Sequence, residues 1–152
     1  PSIRPVFSPD GGRVIAASAP SEVGVWNSST GNLIRSLEVG CPGKPRNEWP
    51  DAMFSPRDSE QVLTACCSEI KVWNAATGDL LKTWVTSPAE LSWLHATMAA
   101  YSPDGERIVT ANFGYTAEVW NSTTGALIST IRTSRGRSTR ITKVTFSPRG
   151  DT

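Results

Sequence analysis

Cysteine, histidine and charge are all scarce in this chain, and each scarcity excludes something. Three cysteines (Cys41, Cys66 and Cys67) in 152 residues are an odd count without a framework spacing, which argues against a disulfide-stapled scaffold. The adjacent pair Cys66 and Cys67 is expected to be two small, reduced residues buried in a strand. There is one histidine, His95; no Cys/His metal-ligand spacing appears, and His95 reads as a loop residue rather than a general base. No phosphate loop, Gly-x-Ser-x-Gly elbow or His-Glu-x-x-His motif occurs. Charged residues make up 19% of the chain, too few for a highly charged disordered segment. No apolar run approaches the roughly 20 residues of a membrane helix, and no heptad pattern supports a coiled coil. The chain begins at Pro1 with no basic-then-apolar leader, so an upstream continuation is expected. These readings point to an intracellular protein, cytoplasmic or nuclear, that is not an enzyme and needs no cofactor or metal.

What the chain does contain is turn chemistry: 12 glycines and 11 prolines, placed at a fixed period. Phe7-Ser8-Pro9-Asp10 returns as Phe54-Ser55-Pro56-Arg57, Tyr101-Ser102-Pro103-Asp104 and Phe146-Ser147-Pro148-Arg149, at offsets of 47, 47 and 45 residues. Val25-Trp26-Asn27 returns as Val72-Trp73-Asn74 and Val119-Trp120-Asn121, and Thr30-Gly31 as Thr77-Gly78 and Thr124-Gly125, all at offsets of 47. Anchors in one shared register define an internal repeat. The units run approximately over 3–49, 50–96 and 97–141, with an incomplete fourth over 142–152.

Each unit reads as four short strands. The first ends at the aromatic of the Phe/Tyr-Ser-Pro motif. Proline and glycine then supply the dihedrals of a tight turn. A second strand over 13–18, 61–66 or 107–112 is rich in aliphatic residues, as for a strand covered on both faces. The third ends in Val-Trp-Asn, whose asparagine opens a turn that glycine closes. The fourth covers 33–37, 80–84 or 127–131. Helical periodicity is absent apart from a single turn expected over 88–95. Trp26, Trp73, Trp120, Phe7, Phe54, Tyr101 and Phe146 are therefore expected to be structural, and Trp84 to pack within its strand.

The combination of Phe-Ser-Pro-Asp-Gly with Val-Trp-Asn-x-x-Thr-Gly resembles the WD-repeat (Trp-Asp repeat) family. That resemblance covers essentially the whole chain. It implies an all-β fold of β-propeller blades, each of four antiparallel strands: about three blades plus the start of a fourth. It further implies a partial ring, completed to seven blades by the same chain or closed by oligomerisation. The departures are definite. Trp-Asn replaces Trp-Asp, the upstream Gly-His pair is missing, and Pro20, Cys67 and Gly114 stand near the position of the family's turn aspartate. The family's His-Asp-Ser-Trp network is not expected to form as usual, so the blades are expected to rely more on apolar packing and to be less stable each.

Function is expected in the connections over 39–50, 86–96 and 133–139, which the resemblance places on one face together with the turns between second and third strands. Long loops on a rigid scaffold are common binding elements, and aromatic and arginine side chains dominate interface hot spots. The candidates are Lys44, Arg46 and Trp49; Trp93 and His95; Phe113 and Tyr115; and Arg135, Arg137 and Arg140. Trp49 and Trp93 have an equally good reading as caps tucked under their own loops. Residues 1–131 carry 9 basic and 13 acidic side chains, whereas 132–152 carry 6 and 1. That basic end favours an acidic protein surface over nucleic acid, because no aromatics are interleaved for base stacking. Glu22, Glu69 and Glu118 are expected at exposed strand positions rather than around a metal. The resulting expectation is a non-enzymatic protein-interaction scaffold without membrane contact. The alternative is a partner- or ligand-sensing repeat region of a larger signalling protein, such as a nucleotide-switch NTPase.

Overall fold

The computed structural model describes residues 4–40, 49–86, 96–112, 116–132, 141 and 143–150. They form twelve strands and no helix. The strands make three four-stranded antiparallel sheets, each a simple meander in chain order. The first holds β1 (Val6–Phe7), β2 (Arg13–Ala19), β3 (Glu22–Asn27) and β4 (Leu33–Glu38). The second holds β5 (Asp51–Ser55), β6 (Asp58–Cys66), β7 (Glu69–Asn74) and β8 (Leu80–Val85). The third holds β9 (Ala96–Tyr101), β10 (Arg107–Asn112), β11 (Thr116–Asn121) and β12 (Leu127–Arg132). The single helical turn expected over 88–95 lies outside the described residues.

The repeated motifs do the local work that the sequence assigns to them. Asn27, Asn74 and Asn121 each use Oδ1 to accept two backbone N–H groups of the following turn, at 2.8–3.0 Å. Asparagine serves this turn as well as aspartate, because only an acceptor oxygen is needed. Gly31, Gly78 and Gly125 close it at φ of 71°, 81° and 71°, where a Cβ is disfavoured. In the other turn the Ser8 and Ser102 hydroxyls accept from the amides of Arg13 and Arg107, both at 2.9 Å. They also hydrogen-bond Asp10 and Asp104, and these bonds hold both carboxyls below the usual carboxylate range. The second unit has Arg57-Asp58 in place of Asp-Gly. Ser55 there pairs directly with Asp58, so β6 starts three residues earlier than the turn pattern predicts.

Alternation along each strand gives every sheet two apolar faces, and the faces pack pairwise. Ile15, Val23, Val25 and Leu37 of the first sheet meet Phe54, Val62 and Trp73 of the second. Leu63, Ala65, Ile70 and Val72, on the opposite face of the second sheet, meet Ile108, Trp120 and Tyr101 of the third. Val109, Ala111, Ala117 and Val119 continue the pattern beneath Ile141, Val144 and Phe146. Burial pushes the Tyr101 phenol up to about 12. Trp84 packs at the second junction, with its ring 3.5 Å from the site of a Cβ on Gly125.

Two of the three repeated indoles keep a polar partner. Trp73 Nε1 donates to Thr64 Oγ1 at 2.8 Å, and Trp120 Nε1 to Thr110 Oγ1 at 3.0 Å. Both threonines are 1% exposed, so an apolar replacement would orphan a buried donor. These two indole bonds thus add a polar contribution to the apolar packing. The register places Ala16 and Gly24 in the first sheet where Thr64 and Lys71 stand in the second and Thr110 and Glu118 in the third. Without a hydroxyl to reach, Trp26 folds down over Gly24. A Cβ there would lie 2.2 Å from the indole.

The junctions are also stitched at their rims. Arg35 Nε of β4 donates to Ala76 O of the next unit at 3.1 Å, and Lys82 Nζ of β8 to Thr123 O at 2.9 Å. These donors and acceptors each recur at an offset of 47. Arg13 reaches Glu60 at 3.5 Å, and Arg57 reaches Glu106 at 3.2 Å. These exposed ion pairs contribute little each.

Candidate functional site

A cleft of about 500 Å³ opens where the first strands of the sheets approach one another. It is lined by Arg4, Val6, Trp49, Asp51, Met53, Met98, Lys143 and Val144, among others. The repeat explains the convergence. Counting three residues back from the motif aromatics Phe7, Phe54, Tyr101 and Phe146 gives Arg4, Asp51, Met98 and Lys143. One structural position, taken from four successive units, thus supplies a cation, an anion, a thioether and a second cation to one cleft.

Asp51 is the anchored member. Its carboxylate accepts the Ala52 amide at 3.1 Å and, across the junction, the Ala99 amide of β9 at 3.0 Å. Burial raises its pKa, against the pull of these two amides and of the Arg4 guanidinium. Arg4 and Lys143 are both exposed. Neither takes part in the ion pairs among the described residues, which join Arg13 to Glu60, Arg57 to Glu106 and Lys71 to Glu69. β1, β5 and β9 are edge strands of their sheets, so backbone as well as side chains borders the cleft.

Of the residues singled out for binding, Trp49 is the one among the described residues. It is half-buried and lines the cleft. Lys44, Arg46, Trp93, His95, Phe113, Tyr115, Arg135, Arg137 and Arg140 lie outside the described residues. Among the repeat aromatics, Trp73, Trp120 and Phe54 are 8, 6 and 6% exposed, whereas Phe7 is 64% exposed. The structural assignment of Phe7 therefore holds for its pairing with Val14 but not for its burial. Trp26, Tyr101 and Phe146 are half-buried.

The carboxylates of the third strands separate. Glu22 accepts from Ser36 Oγ at 2.7 Å and Ser18 Oγ at 3.0 Å, which lowers its pKa. Glu69 pairs with Lys71 at 2.8 Å. Glu118 is 3% exposed and engaged, which corrects the expectation of an exposed strand position. No group of three metal-ligating side chains occurs among the described residues.

The cysteine expectation changes as well. Cys67 sits in the β6–β7 turn at φ 54°, followed by Ser68 at φ 67°, rather than in a strand. Its sulfur is disulfide-bonded rather than a free thiol. No helix among the described residues is long and apolar enough to cross a membrane.

Sequence reasoning missed Arg4, Asp51, Met98 and Lys143 as a set. The available signal was the fixed spacing from each aromatic. It went unread because the four residues differ in chemistry and no motif contains them. No family model matches this chain, and no curated protein matches it.

Proposed function

We propose that the chain is a WD-repeat-type β-propeller region, its sheets being blades, and that it works as a non-enzymatic scaffold for other proteins. The single observation carrying this reading is the cleft, into which one position of the repeat brings Arg4, Asp51, Met98 and Lys143 beside Trp49. A regular frame holds chemically dissimilar side chains at one place. This is the arrangement expected when the frame serves stability and the variable position serves recognition. The remaining blades come from the same chain or from further copies.

The test is partner capture by the full-length protein and by its Trp49→Ala, Trp93→Ala and Arg137→Ala variants, each checked for an unchanged fold by circular dichroism. Reduced recovery of co-purifying proteins by at least one variant is expected. Equal recovery by all three sinks the scaffold reading.

A further inference from the structure

We infer that the cleft receives an extended acidic peptide segment carrying at least one apolar side chain, gripped by Arg4 and Lys143. This inference rests on the scaffold reading and adds a ligand class to it.

Charge gives the first argument. The cleft holds two exposed cations outside the ion pairs of the described residues, while its one carboxylate already accepts two backbone amides. Two cations against one carboxylate leave the lining with a formal charge of +1. The apolar lining gives the second: Val6, Trp49, Met53, Met98 and Val144 border the same space. Methionine adapts to irregular apolar partners, and tryptophan is a common anchor at interfaces. The backbone gives the third. β1, β5 and β9 are edge strands, whose backbone can pair with an incoming extended chain except at Ala99, where Asp51 already holds the N–H. A cleft of about 500 Å³ falls within the range of ordinary ligand sites.

A nucleic acid fits less well. Its binding draws on many phosphate contacts at once, and the cleft offers two cations with the Asp51 carboxylate beside them. A basic peptide would meet Arg4 and Lys143 directly.

The experiment uses fluorescence anisotropy of the full-length protein with a short fluorescein-labelled peptide of alternating glutamate and leucine. Parallel titrations use a lysine–leucine peptide, a glutamate–serine peptide and labelled oligothymidylate. The glutamate–leucine peptide is expected to bind most tightly. Arg4→Glu and Lys143→Glu should each weaken it about tenfold, with Arg4→Gln giving a smaller loss in the same direction. Asp51→Asn should tighten binding several-fold. Arg149→Glu, a charge reversal in the Ser-Pro-Arg-Gly turn away from the cleft lining, should leave it unchanged. Equal losses with Arg149→Glu, no loss with Arg4→Glu or Lys143→Glu, or tighter binding of the lysine–leucine peptide or the oligonucleotide each overturn the inference. Partner capture that survives the double reversal at Arg4 and Lys143 but is lost with Trp93→Ala or Arg137→Ala removes the acidic-peptide assignment and leaves the scaffold reading standing.

Discussion

The first and second sheets carry the same motifs in the same register, yet their aromatic faces have different fates. In the second sheet Phe54 is 6% exposed and Trp73 8%, and the indole N–H is held by Thr64 at 2.8 Å. In the first, Phe7 is 64% exposed and Trp26 lies over Gly24. The difference comes from neighbours. The aliphatic face of the first sheet covers the aromatic face of the second, and no described sheet covers the aromatic face of the first. Each repeat thus encodes two half-interfaces, and burial belongs to the junction rather than to the unit. Stability in such arrays is a sum of unit and junction contributions.

Substitutions in the two sheets break or sharpen this comparison. The largest effect is expected from Trp73→Ala, which empties a covered junction at a cost of about 3–5 kcal/mol. Trp26→Ala should cost about 1 kcal/mol, because less apolar surface is withdrawn from water. Chemical denaturation of both variants measures the gap, and equal losses would refute the role given to the covering sheet. Next comes Thr64→Val, which keeps the shape but orphans the Trp73 N–H, for about 1–3 kcal/mol. Ala16→Val, at the matching place in the first sheet, should cost less than half as much.

A smaller effect is expected from Gly24→Lys, which gives the first sheet the residue of the second. Its Cβ displaces the Trp26 ring, for about 1 kcal/mol. Adding Ala16→Thr should recover part of that by offering the indole a hydroxyl, a positive coupling that a double-mutant cycle reads directly. Strict additivity would mean that Trp26 does not re-orient.

The smallest effect is in pH dependence. Asp10 and Asp104 have lowered pKa values through their serine bonds. They therefore contribute stability above the ordinary value of 3.8, and it is lost as pH falls through their folded values. Asp51 is raised by burial, so it does the opposite: the folded state is penalised as pH rises from 3.8 through its folded value. Asp51→Asn should therefore raise the melting temperature at neutral pH relative to that at pH 3. A parallel offset at both pH values would show that the Asp51 carboxyl does not feel its burial.

Much of the fold was legible because its turns depend on residue types with few substitutes. Glycine at positive φ, asparagine accepting two amides and proline at a turn corner name their own conformations, so strand ends fell within a few residues of their motifs. Where that chemistry lapses, at Arg57-Asp58, the expected strand start was displaced as well. The cleft was less legible for the opposite reason. Arg4, Asp51, Met98 and Lys143 share a position but no chemistry, and a pattern search weights identity over place. Trp49 was found because a loop tryptophan is conspicuous on any scaffold. Glu118 was misjudged because alternation along β11 tells inside from outside only for a sheet with one wet face, and this sheet is covered on both.

The rim stitches also bear on how such a chain can lengthen. Arg35 and Lys82 reach forward to a carbonyl that the following unit brings with its own Thr-Gly turn. The first and second 47-residue segments thus each carry both the donor and the acceptor position. A tandem duplication of the first or second segment arrives with the donor and the acceptor for this clasp at both seams. The third segment has Ser129 at the donor position. A copy of the third segment would bring the acceptor carbonyl without the donor, so its forward seam would lack this clasp.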